Sequence, residues 1–188
     1  MHNETSDEAL MLRYQSGEAA AFDELYARHR GGLYRFILRQ CRLPAAAEEL
    51  FQDVWMNLIQ ARSRYQASAQ FRTYLFTLAH NRLMDYFRRH VRSEALFYEN
   101  DDDSTLQEIA GSRIDEPHVL AEARQQGKAL LAVLEALPAP QREAFLLYEE
   151  AGLSLEEIAH ATGASYEAAK SRLRYAIAKL REGLQEYA

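Results

Sequence analysis

Apolar residues recur through most of this chain at intervals of three and four, the period of a helix with one buried side. In a helix predicted over 46–61, the inward positions are Leu50, Phe51, Val54, Trp55 and Leu58. Strand-like alternation is almost absent, and 188 residues include only four prolines and eight glycines. The pattern therefore predicts an all-α protein.

A capping pattern marks the start of a helix in the last third of the chain. Ser154 is followed three residues later by Glu157, so each side chain can bond the backbone N–H of the other. Gly163 suits the exit from this helix, and Ser165 can cap a second one. We therefore expect a turn at 162–164 between two helices, which is the outline of a helix-turn-helix.

The second of these helices has one apolar and one basic side. Ala169, Leu173, Ala176, Ile177 and Leu180 fall on the apolar side. The outward side carries Glu167, Lys170, Ser171, Arg174, Tyr175 and Arg181. Lys and Arg meet guanine edges or phosphates in the major groove, so we expect Lys170, Ser171 and Arg174 to read DNA. The alternative is the solvated side of an ordinary helical hairpin.

The net charge of −6 is divided unevenly along the chain. Residues 94–122 hold nine acidic residues against one basic residue, and they show no sustained helical stripe. We expect this stretch to be an acidic flexible linker. It would join two small helical domains, an N-terminal helical bundle over 8–93 and a C-terminal helix-turn-helix domain over 123–188.

Seven arginines and six aromatic residues interleave over 62–92, with Asp85 as the single acidic residue. Cations follow phosphates and rings stack on exposed bases, so single-stranded DNA is a candidate ligand. On a helix over 71–89, the apolar arc, with Phe76 and Phe87, is expected to be core. The opposite side carries Tyr74, Thr77, Asn81 and Arg88.

The helix over 46–61 also has an acidic outer side. Glu49, Asp53, Met56 and Gln60 recur there at helical spacing, and no cation occurs between Pro44 and Ala61. Such a side either docks on a basic protein surface or is simply solvated.

Catalytic and metal-binding chemistry find no support in the sequence. His29, His80, His90 and His160 lack metal-ligand spacing and are assigned to surface or helix-cap positions. No phosphate loop or nucleophile elbow occurs, and Cys41 is expected to be a small buried side chain. We therefore expect no enzyme activity, no metal, no cofactor and no small-molecule substrate. The polar N-terminus has no apolar signal segment, which predicts a cytoplasmic protein.

Six sequence blocks together resemble one protein family. They are 21–26 (AFDELY), 48–55 (EELFQDVW), 71–81 (FRTYLFTLAHN), Ala136-Leu137-Pro138 with Arg142, 153–159 (LSLEEIA) and 170–173 (KSRL). In their order and their residues, these blocks resemble the extracytoplasmic-function (ECF) sigma factors of bacterial RNA polymerase. The resemblance covers about 8–92 and 128–184.

The resemblance implies a role for each outward side. Docking on the β′ clamp of the polymerase falls to Glu49, Gln52, Asp53 and Met56. For recognition and melting of the minus-ten element, the resemblance implies Arg64, Tyr65, Phe71, Arg72, Tyr74, Thr77, Asn81 and Arg88. Reading of the minus-35 element falls to Glu167, Lys170, Ser171, Arg174 and Tyr175.

The partners implied by the resemblance are core RNA polymerase, through its β′ clamp and β flap, and promoter DNA. A further implied partner is a membrane-anchored anti-sigma factor, which would hold the chain at the inner membrane until a signal releases it. The alternative function is a two-domain helix-turn-helix regulator that does not act through core polymerase.

Overall fold

The computed structural model describes residues 5–96 and 117–185, with side chains for 5–90 and 127–185. The described residues form helices and no strand, which confirms the all-α prediction. The N-terminal helices are α1 (Asp7–Gln15), α2 (Ala19–Cys41), α3 (Pro44–Ala61) and α4 (Phe71–Leu96), with a 3₁₀ turn at Arg62–Arg64. The C-terminal helices are α5 (Pro117–Ala136), α6 (Ala139–Ala151), α7 (Leu155–Thr162) and α8 (Tyr166–Gln185).

An aromatic cluster holds α2 against α3. Trp55 is only 4% exposed, and its ring centroid lies 5.0 Å from that of Tyr26 and 5.6 Å from that of Phe22. Phe36 of α2 meets Phe76 of α4 edge to face at 5.4 Å. Tilted and edge-to-face ring pairs add to the stability that area burial provides. The apolar side predicted for α3 therefore faces the core.

The helix-turn-helix forms as the capping pattern predicts. Ser154 Oγ accepts from the N–H of Glu157 at 3.2 Å, and Glu157 Oε2 accepts from the N–H of Ser154 at 2.8 Å. Gly163 ends α7 in the left-handed region, with φ at 62°, and Ser165 Oγ accepts from the N–H of Ala168. The outward and inward sides of α8 are those predicted from its periodicity.

Most of the predicted acidic linker, 97–116, lies outside the described residues. Its two edges are helical, because α4 continues to Leu96 and α5 begins at Pro117. The helices on either side of the predicted linker contact each other: α2 packs against α6, and α4 packs against α6 and α7. The position of the C-terminal domain therefore decides which part of α4 is open to solvent.

Candidate polymerase and DNA interfaces

The outer side of α3 is acidic and largely exposed. Glu49 and Gln52 are exposed, and half of the Met56 surface is accessible to solvent. Asp53 differs, because its carboxylate forms an ion pair with Arg82 of α4 and is 36% exposed. Three of the four predicted docking residues can thus meet a partner directly, whereas Asp53 would first have to share or release Arg82.

Helix α4 has three distinct sides. Phe71, Leu75, Ala79 and Leu83 form the buried side. Thr73 and His80 form a second side, which faces the C-terminal domain. The third side carries Tyr74, Asn81 and Arg88, of which Asn81 and Arg88 are exposed. Along the part of α4 that packs within the protein, this third side is therefore open to a nucleic acid in this conformation.

The remaining predicted minus-ten residues differ in their accessibility. Arg64 is exposed in the 3₁₀ turn, while Thr77 is half-buried and donates its hydroxyl to the carbonyl of Thr73 at 2.7 Å. Tyr65 and Phe71 are 6% and 0% exposed, so both rings lie in the core and their predicted minus-ten role stays a prediction. Apolar contacts within the N-terminal domain explain their burial.

The hydroxyl of Tyr65 is an unusual feature of this core. It finds no hydrogen-bond partner among the residues that the structure describes. Burial raises the pKa of Tyr65 to about 12, and the carboxylate charge of Glu8 acts in the same direction. The ring of Tyr74 lies 5.3 Å from that of Tyr65. Tyr65 therefore acts as a packing residue that supports Tyr74 at the surface.

Helix α1 fixes both ends of the loop that precedes α4. Glu8 Oε1 accepts from the N–H of Phe71 at 2.7 Å, at the start of α4. Gln15 Nε2 donates to the carbonyls of Ser63 and Tyr65, at 3.1 and 3.2 Å. A cavity of about 590 Å³ lies between α1 and this loop. Its lining comprises Asp7, Glu8, Ala67, Ser68, Ala69, Gln70 and Arg72.

Sequence reasoning missed Glu8 and Gln15 as contributors to this site. Glu8 lies 63 residues from Phe71, and Gln15 lies 48 and 50 residues from Ser63 and Tyr65, so no local spacing connects them. Glu8 occupies the first turn of α1, where an acidic residue already has an explanation in the helix dipole.

Two histidines assigned to surface or cap positions are paired with carboxylates instead. His80 Nδ1 lies 2.6 Å from Glu143 Oε1 of α6, and His29 Nε2 lies 2.6 Å from Asp7 Oδ2. His80 is thus part of a contact between the two domains. Position on a helix side alone did not reveal this role.

The outward side of α8 is open to solvent. Glu167, Lys170, Arg174 and Tyr175 are exposed, and Ser171 is half-buried. The guanidinium of Arg174 lies 5.0 Å from the ring centroid of Tyr175, within cation–π range. All five predicted minus-35 residues lie on the helix that follows the turn, as in a recognition helix.

The described residues contain no group of three potential ligands arranged for a metal ion. None of the described helices has the length and apolar content that a membrane crossing requires. Cys41 is buried as predicted, and burial raises the pKa of its thiol.

Comparison with known proteins identifies both domains. Residues 25–93 match the family model for sigma-70 region 2, and residues 127–180 match the model for sigma-70 region 4. The RNA polymerase sigma factor CarQ of Myxococcus xanthus is 32% identical, with 94% of this chain and 96% of CarQ covered. The sigma factor NccH of Alcaligenes xylosoxydans is 30% identical, with 98% of each chain covered.

The fold is also that of a solved sigma factor. The sigma factor RpoE of Bartonella quintana, crystallised with the anti-sigma factor NepR, matches with a TM-score of 0.71 and 22% identity. That match covers 87% of this chain and 96% of RpoE. From the two matched regions and the full-length relatives, the chain belongs to the extracytoplasmic-function sigma factors of bacterial RNA polymerase.

Proposed function

We propose that this chain is an alternative sigma factor that binds core RNA polymerase, directs it to specific promoters and catalyses no reaction itself. The observation that carries the proposal is the presence of three chemically distinct exposed surfaces on one chain. An acidic side on α3, the Asn81 side of α4 and a basic side on α8 each point outward, and the two sigma-70 regions contain all three.

The α3 side is proposed to dock on the β′ clamp of the polymerase. Its exposed Glu49 and the carboxylate of Asp53 suit a basic protein surface, and the apolar Met56 adds contact area beside them. The C-terminal domain would contact the β flap.

The third side of α4 is proposed to hold the opened minus-ten strand. Arg64 and Arg88 are exposed and can follow phosphates, while Tyr74 and Asn81 can contact an unpaired base. Opening a duplex costs a few kcal/mol per unstacked step, and stacking of about 1–3 kcal/mol per captured base offsets part of this cost. Polymerase contacts would supply the remainder.

The outward side of α8 is proposed to read the minus-35 element. Lys170 and Arg174 can meet guanine edges or phosphates, and Glu167 can accept from the amino group of cytosine. The two promoter elements must be read at a fixed separation, and docking of both domains on polymerase would set it.

An anti-sigma factor is proposed as the regulator of this chain. The solved structure of RpoE contains the anti-sigma factor NepR, and a solved structure of CnrH contains the cytosolic domain of CnrY. By analogy, an anti-sigma factor would cover the docking sides until a signal releases the chain. A membrane-anchored form would hold this cytoplasmic protein at the inner membrane.

Reconstituted transcription tests the proposal. The purified chain is mixed with bacterial core polymerase and a library of promoter-length DNA, and the transcripts are sequenced. Glu49→Arg should abolish core binding, whereas Glu48→Arg makes the same charge change at a neighbouring exposed position that falls outside the predicted docking set. Asn81→Ala should leave core binding intact and weaken promoter opening on duplex DNA.

Promoter-selective transcripts that depend on Glu49 and Asn81 in this way would support a sigma factor. DNA binding without polymerase association would instead favour the conventional helix-turn-helix regulator. Equal losses of core binding in Glu48→Arg and Glu49→Arg would contradict docking through the α3 side proposed above.

A further inference from the structure

We propose that Tyr166 is a further specificity-determining residue of α8, which reads the C5-methyl group of a thymine close to the base pair that Lys170 contacts. This inference rests on the proposed reading of the minus-35 element by α8 and adds one recognised chemical group to it. Tyr166 lies outside the five residues predicted for that role, because the helical projection places it at the border between the apolar and the outward side.

Tyr166 is the first residue of α8 and directly follows the turn of the helix-turn-helix. The hydroxyl of Ser165 accepts from the N–H of Ala168, which fixes the first turn of the helix at this point. A recognition helix enters the major groove with its N-terminal residues, so base edges lie nearest to this turn. Tyr166 therefore occupies a position from which a side chain can reach a base.

The ring of Tyr166 is only partly used for packing. It is 41% exposed, whereas Ala169 and Leu173 of the same helix are 0% and 7% exposed. Exposed aromatic residues are common on protein surfaces, but this ring is followed at intervals of four residues by two exposed cations, Lys170 and Arg174. An apolar ring and two cations therefore form one continuous strip along the outward side of α8.

Lys170 lies over the ring of Tyr166, with its Nζ 6.0 Å from the ring centroid. This distance is at the outer limit of a cation–π contact, so the ammonium group can leave the ring for a stronger acceptor. Guanine O6 and N7 are such acceptors in the major groove. Once Lys170 donates to guanine, the face of the Tyr166 ring is free for an apolar contact.

The C5-methyl of thymine is the apolar group that suits this ring. Among the four bases, thymine alone presents a methyl group in the major groove, and apolar side chains recognise it by direct contact. Residues one helical turn apart are separated by about 5.4 Å, which is about one and a half base pairs at 3.4 Å each. The thymine should therefore lie within about two base pairs of the guanine that Lys170 contacts.

Deoxyuridine substitution tests the inference, because deoxyuridine lacks the methyl group of thymidine. The chain first selects a preferred duplex from a random library at low salt without polymerase, since the outward side of α8 is open to solvent. Each thymine of the selected duplex is then replaced in turn, and the affinity is measured by fluorescence anisotropy. Loss of the methyl contact at one position should weaken binding about fourfold, which corresponds to about 0.8 kcal/mol.

Variants of the chain assign the methyl dependence to Tyr166. Tyr166→Ala should bind the thymine and deoxyuridine duplexes equally, whereas Tyr166→Phe keeps the ring and should retain the difference. Tyr148→Ala is the matched control, because Tyr148 is 46% exposed on α6, outside the predicted DNA contacts. Lys170→Ala should lose its preference for one guanine, which identifies the base pair that Lys170 contacts. Thermal melts followed by circular dichroism verify that each variant keeps the helical fold.

A methyl dependence near that guanine, present in the parent, Tyr166→Phe and Tyr148→Ala but absent from Tyr166→Ala, would support the inference. An equal dependence in Tyr166→Ala, or no dependence at any thymine of the parent, would overturn it. Weaker binding of Tyr166→Phe to every duplex would also overturn it, because the hydroxyl would then be the contacting group. Failure to select any duplex would refute the proposed reading of the minus-35 element by α8, and this inference with it.

Discussion

Replacing Glu8 by alanine is expected to loosen the loop before α4 and to weaken capture of the minus-ten strand. Glu8 accepts from the N–H of Phe71 at 2.7 Å, and Phe71 is fully buried. This N–H belongs to the first turn of α4 and has no partner within its own helix. The carboxylate also lies at the positive end of the helix dipole.

The magnitude follows from the chemistry of this bond. A hydrogen bond to a charged group contributes about 1.5–3 kcal/mol, and a buried donor left without a partner costs about 1–3 kcal/mol. We expect Glu8→Ala to lower the stability of the N-terminal domain by about 2 kcal/mol, within those ranges. Glu8→Gln keeps an acceptor oxygen and loses only the charge, so about half of this loss is expected.

Urea denaturation followed by Trp55 fluorescence measures the effect, since Trp55 lies in the core of the same domain. With a slope of about 1–2 kcal/mol per molar urea, the Glu8→Ala midpoint should fall by about 1–2 M. Asp23→Ala is the control, because Asp23 is exposed and forms no ion pair in the part of the chain that the structure describes. A Glu8→Ala midpoint equal to that of the control would refute the role of Glu8.

Three other substitutions test separate parts of the structure. Tyr65→Phe removes a buried hydroxyl that lacks a partner among the described residues, so stability should rise by about 1 kcal/mol in urea melts, with fork-DNA affinity unchanged. Burial works to raise the pKa of Glu157, but hydrogen bonds from Ser154 and Thr73 outweigh it and the pKa is lowered. The stability that Glu157 contributes is therefore complete above pH 4.5 and is lost as the pH falls below it. Melts at pH 7 and pH 3.5 should show this loss in the parent protein, and the loss should be smaller in Glu157→Gln. Asp53→Asn can keep the contact with Arg82 and should weaken core-polymerase binding with little change in stability, as measured by affinity and melting.

Local features of the fold could be predicted from the sequence because their causes are local. The bonds between Ser154 and Glu157 join residues three positions apart, and Gly163 ends α7 for reasons that belong to its own backbone. Helical periodicity likewise separates the inward and outward positions of α3 and α8 without reference to any other element. These predictions needed only the spacing of residues along the chain.

Contacts between distant elements could not be predicted in this way. Periodicity places Phe71 on the apolar, buried side of α4, but it does not show that the N–H of Phe71 bonds Glu8 of α1. The burial of Tyr65 could not be predicted, because an aromatic residue beside arginines suits both a core and a base-stacking position. The pairing of His80 with Glu143 depends on how two domains meet, and no spacing in the sequence encodes that geometry.

The three sides of α4 show why the way the two domains meet matters for function. Its buried side fixes the helix in the N-terminal domain, and its Asn81 side faces solvent. The remaining side of α4 carries Thr73 and His80, and α6 and α7 cover it. A strand that followed α4 across both outward sides would have to displace Glu157 and Glu143. These two carboxylates, and not the exposed Asn81 side, are therefore the groups with which such a strand would compete.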